Sequence, residues 1–151
     1  EVEGRKYLPA EVLNRIRNTL LQNWEGAVLW DDRAFWFASE DNRAYGGRLV
    51  CTHGPAYAIC RYAGEGLCEV TELMCTTEHL PKLFGAMLQE MPASNYRIRL
   101  PKGSGLLEMA GLSSLSAPEP VFCGMLRPLD GASMDQLQVG EKKPYLGLGK
   151  D

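Results

Sequence analysis

The sequence predicts an α/β fold, and three features of its hydrophobic pattern carry that prediction. Apolar residues recur at helical spacing in the first part of the chain. Short runs rich in β-branched and aromatic residues follow, separated by Gly and Pro. Helical spacing then returns and gives way to an alternating strand. The 151 residues suffice for one domain, since a chain of that size buries about two-thirds of its unfolded surface.

Two helices are expected first. In the segment from Pro9 to about Trp24, apolar residues stand three and four positions apart, and Pro9 suits a first helical turn. A second helix is predicted from Asp31, a good N-cap, through Trp36 and Phe37, before Gly46 and Gly47 end it. We expect the aromatic side chains of this second helix to face a core.

The middle of the chain predicts an antiparallel meander of three strands. Its strands are Arg48 to Thr52, Ala56 to Ala63 and Leu67 to Cys75. Gly54-Pro55 and Gly64-Glu65-Gly66 supply the turns between them.

A third helix, a strand and a short helix are predicted next. The helical residues Leu80, Leu83, Phe84, Met87, Leu88 and Met91 are expected to form one buried face that ends at Pro92. In Asn95 to Leu100 apolar and polar residues alternate, as in a half-buried strand. A short helix around Ser104 to Ala110, closed by Gly111, then precedes an apolar strand at Pro120 to Leu126 and a short strand near Tyr145 to Leu148.

Composition argues against several classes of protein. The net charge of −3, with no run of basic residues, disfavours nucleic acid as a partner. No apolar run approaches the roughly 20 residues of a membrane span. The cysteines Cys51, Cys60, Cys68, Cys75 and Cys123 form no C-x-x-C pair, so we expect no metal site and interpret them as reduced core residues of a cytoplasmic protein.

The order of these elements resembles the GNAT family of N-acetyltransferases, lacking only a first strand. The strings Ala56–Arg61 and Glu69–Leu73 resemble the central strands of that family, and Gly105–Leu112 followed by Phe122–Leu129 resembles its closing helix and strand. The resemblance implies a mixed, mostly antiparallel twisted sheet flanked by helices. It covers residues 9–129, between a linker-like segment at 1–8 and a tail at 130–151, and it is nearest to the second half of bacterial tandem-GNAT proteins.

The resemblance also indicates where a cofactor would bind. GNAT enzymes hold the pyrophosphate of acetyl-CoA on backbone N–H groups of a glycine-containing loop at a helix N-terminus. The matching string Cys75-Thr76-Thr77-Glu78-His79-Leu80-Pro81-Lys82 has no glycine, and Glu78 lies where the phosphates would be. The residues implied for cofactor binding, if acetyl-CoA binds at all, are Leu73, Cys75, Thr76, Thr77 and Lys82.

The general base that the family implies is Glu72, which follows the strand-end Glu-Leu pattern. Glu69 lies three residues earlier, so we expect the two carboxylates to point to opposite faces of the sheet. The family's general acid is frequently a tyrosine in the short helix before the last strand, but the matching slot here holds leucine, which cannot donate a proton.

Other polar and aromatic residues leave alternatives open. The two histidines, His53 and His79, are far apart in sequence and indicate no triad. Arg97 and Arg99 share a strand face that is either solvated or available to an anionic ligand or a partner's carboxylates. The aromatic residues from Trp24 to Phe37 belong to a core, an interface between domains or a substrate pocket.

Two hypotheses for the function follow. The first is a non-catalytic GNAT-like domain, the accessory half of a tandem protein whose upstream domain carries the acetyltransferase activity. The second is an acetyl-CoA-dependent N-acetyltransferase with a divergent cofactor loop and Glu72 as base. Homo-oligomerisation stays open in both.

Overall fold

The computed structural model describes residues 8–22, 24–25, 29–100, 105–109, 111, 114 and 143–144. The helices are α1 (Ala10–Leu21), α2 (Asp32–Ala44), α3 (Leu80–Glu90) and α4 (Leu106–Met109). The strands are β1 (Trp24–Glu25), β2 (Arg48–Cys51), β3 (Tyr57–Tyr62), β4 (Leu67–Met74), β5 (Asn95–Ile98) and β6 (Lys143–Pro144). A 3₁₀ turn, Thr77–His79, precedes α3. The strands predicted at Pro120–Leu126 and Tyr145–Leu148, and Cys123, lie outside the described residues.

The main sheet has four strands in the order β2-β3-β4-β5. The first three form the predicted antiparallel meander, and β5 lies parallel to β4. Two parallel neighbours need a crossover connection, which α3 supplies here. The fold is therefore α/β with a mixed sheet and flanking helices, as the sequence predicts. β1 and β6 pair separately, in parallel.

Each face of the sheet covers its own core. The first core packs α3 against one face and contains Val50, Ala58, Cys60, Cys68, Val70, Leu73, Leu80, Leu83, Met87 and Met91. The second core packs α1 and α2 against the other face and contains Leu13, Leu21, Phe35, Tyr57, Ile59 and Met74. Alternate residues of the strands supply the two cores, because successive side chains of a strand point to opposite faces.

A β-bulge interrupts β4. Ile59 of β3 pairs with Glu72, yet the next residue, Cys60, pairs with Val70, so Thr71 is the extra residue. The extra residue shifts the alternation of β4 by one position. Glu72 and Glu69 consequently oppose Ile59 and Arg61, two residues that share a face of β3. The expectation that the two carboxylates point to opposite faces is wrong, because it assumed an uninterrupted strand.

The second helix has the predicted N-cap, since the side chain of Asp31 accepts a hydrogen bond from the backbone N–H of Ala34. Its aromatic residues do not all face a core. Phe35 is fully buried, whereas Trp36 and Phe37 are 55% and 61% exposed. Successive helical residues are rotated by about 100°, so a helix that presents Phe35 to the sheet turns the next two side chains away.

Two further predictions about the helices are wrong, one about a buried face and one about a helix end. Leu88 is exposed, because its neighbour Met87 takes the inward position of α3. The first helix ends at Leu21 instead of Trp24, whose backbone belongs to β1 and pairs with Lys143. The strand around Arg97 follows the prediction, with Tyr96 and Ile98 packed on the first core.

Candidate functional site

Glu72, the candidate base, is buried in an ion pair with Arg17. The bulged strand β4 supplies the carboxylate and α1 supplies the guanidinium, and each residue is 1% exposed. Arg17 Nε lies 3.1 Å from Glu72 Oε1. The hydroxyl of Tyr57, on β3, donates a hydrogen bond to the same oxygen. Three elements thus converge on one carboxylate in the second core.

Aromatic rings enclose this ion pair. The guanidinium carbon of Arg17 lies 4.0 Å from the centroid of the Trp30 ring, an arrangement in which the ring quadrupole attracts the cation. Phe35 packs edge-on against Tyr57, with ring centroids 5.6 Å apart. Trp30 and Phe35 thereby act as core residues, one of the alternatives that the sequence leaves open for the aromatic segment.

Burial raises the pKa of the Glu72 carboxyl, and the charge of Arg17 and the hydrogen bond from Tyr57 act in the opposite direction. The Glu72 side chain has no exposed area. A general base must come within hydrogen-bond reach of the proton it removes, directly or through water. In this arrangement the carboxylate faces Arg17 and Tyr57 and is closed to solvent, and it joins α1 to the sheet.

The residues implied for cofactor binding lie around the start of α3. Leu73 packs in the first core, and Cys75 packs against that core. Thr76 and Thr77 are half-buried, and Lys82 is exposed. Burial raises the pKa of the Cys75 thiol to about 11. The structure places these residues from the end of β4 to the start of α3.

The loop before α3 is organised by His79. Its Nδ1 lies 2.7 Å from the hydroxyl of Thr76, and the exposed carboxylate of Glu78 lies 3.3 Å from the same nitrogen. The ring also packs so tightly on Gly54 that a Cβ there would overlap it. A loop that bends around a side chain and carries an acidic residue differs from a cradle of backbone N–H groups, which needs close backbone approach to the anion.

The two histidines line the same cavity in the folded protein. A cavity of about 550 Å³ between β2 and α3 is lined by both, together with Gly54, Lys82 and Cys51 among others. The tight packing of His79 on Gly54, the residue after His53, brings them there. Their sequence separation gave no sign of this neighbourhood, because the β2–β3 turn and the start of α3 meet only in the folded sheet.

The parallel pairing of β4 and β5 ends before β4 does. Their last backbone hydrogen bond runs from Arg99 N to Val70 O, at 3.0 Å. Within the described part of the chain, no backbone hydrogen bond joins Thr71–Met74 to β5. The bulge at Thr71 lies where this pairing ends. Ligands of α/β proteins commonly bind outside the carboxyl ends of parallel strands, so we take this end of the pairing as the candidate position for a cofactor.

Glu69 forms a second polar centre on the same face as Glu72. Its Oε2 accepts hydrogen bonds from Arg61 Nε and Nη2, at 2.9 and 2.6 Å, and its Oε1 accepts one from Arg99 Nη2 at 3.1 Å. Burial alone would raise the pKa of Glu69, but the hydrogen bonds and charges of both arginines outweigh it and hold the pKa below its ordinary value.

Sequence reasoning missed Arg17 and Asn14, two buried polar residues of α1. Asn14 Nδ2 donates to Trp30 O and to Asp32 Oδ1, at 2.9 and 2.8 Å, and so fixes the segment that leads into α2. A signal was present, since Leu13, Arg17 and Leu21 stand four residues apart on one helix face. A charged residue inside such an apolar stripe indicates a buried partner elsewhere.

The structural findings on cysteines, metal sites and membrane spans concern the described residues only. There Cys51, Cys60, Cys68 and Cys75 are free, and Cys60 and Cys68 are buried, as predicted. No group of His, Cys, Asp and Glu side chains in the described ranges has the arrangement of a metal site. None of the described helices combines the length and the apolar character that crossing a membrane requires.

No family model, curated protein or solved structure matches this chain.

Proposed function

We propose that this chain is a GNAT-like domain without its own acetyl-transfer chemistry, the accessory half of a tandem N-acetyltransferase. One observation carries the proposal: Glu72, the residue in the position of the family's base, is closed from solvent by Arg17 and Tyr57. A carboxylate that is already paired and enclosed is a poor acceptor for the proton of an incoming amine.

Two further features support the proposal. The elements from α1 to β5 follow the order of GNAT domains, with β4 and β5 as the parallel pair. The loop before α3 lacks the glycines of a pyrophosphate site, and Glu78 within it is exposed, so its charge opposes an approaching phosphate. Under this proposal the chain keeps the framework of the family and has lost its two chemical elements.

Calorimetric titration of the chain with acetyl-CoA, beside a thermal-shift scan, tests the proposal. We expect no saturable heat and no rise in the melting temperature, since a ligand that binds only the native state must stabilise it. Saturable binding in the micromolar range would overturn the proposal. For the tandem arrangement, Glu72→Gln in the complete polypeptide should leave its acetyl-transfer rate unchanged at a temperature where circular dichroism shows the variant folded, whereas loss of a true acid-base group lowers turnover about a hundredfold or more.

The second candidate, an acetyl-CoA-dependent N-acetyltransferase with a divergent loop, is favoured by the end of the β4–β5 pairing at Val70. Among the described residues no backbone hydrogen bond joins Thr71–Met74 to β5, and a ligand with amide groups in an extended arm matches such a strand edge. In this candidate Leu73 and Cys75 flank the arm, and Thr76, Thr77 and Lys82 lie toward the phosphates. The same titration separates the two candidates.

A further inference from the structure

We propose that Arg61, Arg97 and Arg99 form a binding site for a small-molecule oxyanion, a phosphate or carboxylate group, on the α1/α2 face of the sheet. Three adjacent strands supply the site, with Glu69 of β4 at its centre. Arg61 of β3 and Arg97 of β5 are the cross-strand partners of Glu69, and Arg99 lies two residues beyond Arg97. The site goes beyond the proposed function and does not depend on it.

The three arginines point to one face of the sheet. Tyr96 and Ile98 pack on the first core, so the alternate residues Arg97 and Arg99 point to the opposite side. Arg61 alternates with Cys60, which belongs to that same first core. Glu69 points to the same side, because it is the direct cross-strand partner of both Arg61 and Arg97.

Charge at this centre is unbalanced. Among the described residues, three guanidinium groups and one carboxylate belong to this centre and sum to a net charge of +2, in a chain whose overall net charge is −3. Within the described residues, Glu69 is the sole carboxylate that pairs with these arginines. Such a local excess of positive charge raises the local concentration of anions.

Glu69 orients the guanidinium groups of Arg61 and Arg99 but does not use all of their N–H donors. The Glu69 side chain is 7% exposed, whereas those of Arg61 and Arg99 are 44% and 48% exposed. Arg61 uses Nε and Nη2 on Glu69, and Arg99 uses Nη2 alone. A guanidinium carries further N–H donors in a planar fork that matches phosphate and carboxylate oxygens. The two side chains are thus positioned before any ligand arrives.

Titration of the chain with inorganic phosphate and, separately, with succinate tests the site, at an ionic strength of about 20 mM to limit screening. We expect saturable binding of at least one anion, and the anion that binds identifies the ligand group as phosphate or carboxylate. The central variant is Arg97→Gln, because Arg97 has no ion pair within the described residues and its loss leaves Glu69 paired. It should weaken binding at least about tenfold, which corresponds to about 1.4 kcal/mol.

Two more variants make the test specific. Arg99→Lys keeps the charge but removes the planar fork, so it should also weaken binding. Arg48→Gln is the matched control, since Arg48 is exposed and points to the α3 face, while its change in charge equals that of Arg97→Gln. Absence of saturable binding of both anions by the unaltered chain would overturn the proposal. Equal weakening in Arg48→Gln and Arg97→Gln would also overturn it, because the effect would then be one of overall charge.

The test of the oxyanion site is independent of the acetyl-CoA titration. The probes contain no adenine, pantetheine or thioester, so their binding does not depend on a cofactor cleft. If the unaltered chain binds acetyl-CoA, the proposed function is overturned, while the oxyanion site is still decided by the phosphate and succinate titrations alone.

Discussion

Arg17 of α1 and Glu72 of β4 lie 55 residues apart in sequence and form a hydrogen-bonded ion pair, with Nε to Oε1 at 3.1 Å, that is closed to solvent. Taking both charges out of water costs free energy, and their mutual attraction offsets that cost only while both partners are present. The pair therefore fixes how α1 packs on the sheet, and it becomes strongly destabilising if either charge is left alone.

Arg17→Met should lower the free energy of unfolding by about 3–5 kcal/mol, because it leaves the Glu72 carboxylate buried without its cation. Urea denaturation monitored by circular dichroism measures this change. Arg43→Met is the matched control, since Arg43 pairs with Glu40 at the surface and should cost less than about 1 kcal/mol. Equal small losses in both variants would contradict the structural role of Arg17.

Tyr57→Phe should cost about 1.5–3 kcal/mol, since the hydroxyl donates to an ionised carboxylate in the core. Tyr62→Phe removes the same atom from a half-exposed ring whose hydroxyl donates to Pro92 O at 3.3 Å. That control should change stability by no more than about 0.5 kcal/mol. The argument fails if the two variants have the same denaturation midpoint.

Glu69→Gln should reduce the dependence of stability on acid pH. The pKa of Glu69 is lowered in the folded state, so its contribution is fully present above the unfolded value of about 4.3 and is lost as the pH falls through the folded value. The difference in unfolding free energy between the unaltered chain and Glu69→Gln should therefore shrink from pH ~6 to pH ~3. Urea titrations across this range measure it, and the comparison cancels titration at Glu72. A difference that grows toward low pH would show that the folded pKa is raised instead.

Gly54→Ala should destabilise the protein by about 1–3 kcal/mol, because the added Cβ overlaps the His79 ring that bonds Thr76. The double variant Gly54→Ala/His79→Ala should recover part of this loss, and a double-mutant cycle measures the coupling. Gly85→Ala is the control, since nothing lies within 4 Å of a Cβ there and its helical position favours alanine by up to about 1 kcal/mol. Strict additivity of the Gly54 and His79 effects would place the steric conflict elsewhere.

Much of the fold follows from local pattern. The meander appears within one or two residues of its predicted ends, as do the helix after it and the strand around Arg97, because hydrophobic periodicity reports which face of each element is buried. Asp31 is the N-cap that its residue type indicates. The pattern does not say which of three adjacent aromatic residues faces the sheet. The prediction that the aromatic residues of α2 face a core therefore holds for Phe35 but not for Trp36 and Phe37.

The sequence predicts which residues belong to the candidate site but not how they are arranged in space. Glu72 and the loop from Cys75 to Lys82 were identified from their positions along the chain. Their environments depend on Arg17, which comes from a helix far away in sequence, and on tight packing between Gly54 and His79. Long-range contacts of this kind leave no periodic trace, because each partner satisfies its own local pattern.

The sequence by itself determined the order and type of the helices and strands from α2 to β5, the alternation of β5 and the absence of glycine from the loop before α3. Tertiary structure alone decided that Glu69 and Glu72 share a face, since one extra residue at Thr71 reverses the alternation between them. It also decided which cation each carboxylate meets, Arg17 in a closed core or Arg61 and Arg99 near solvent. The physical reason is that a bulge and a buried charge are both settled by pairing with other strands and helices, and not by the residues next to them in the chain.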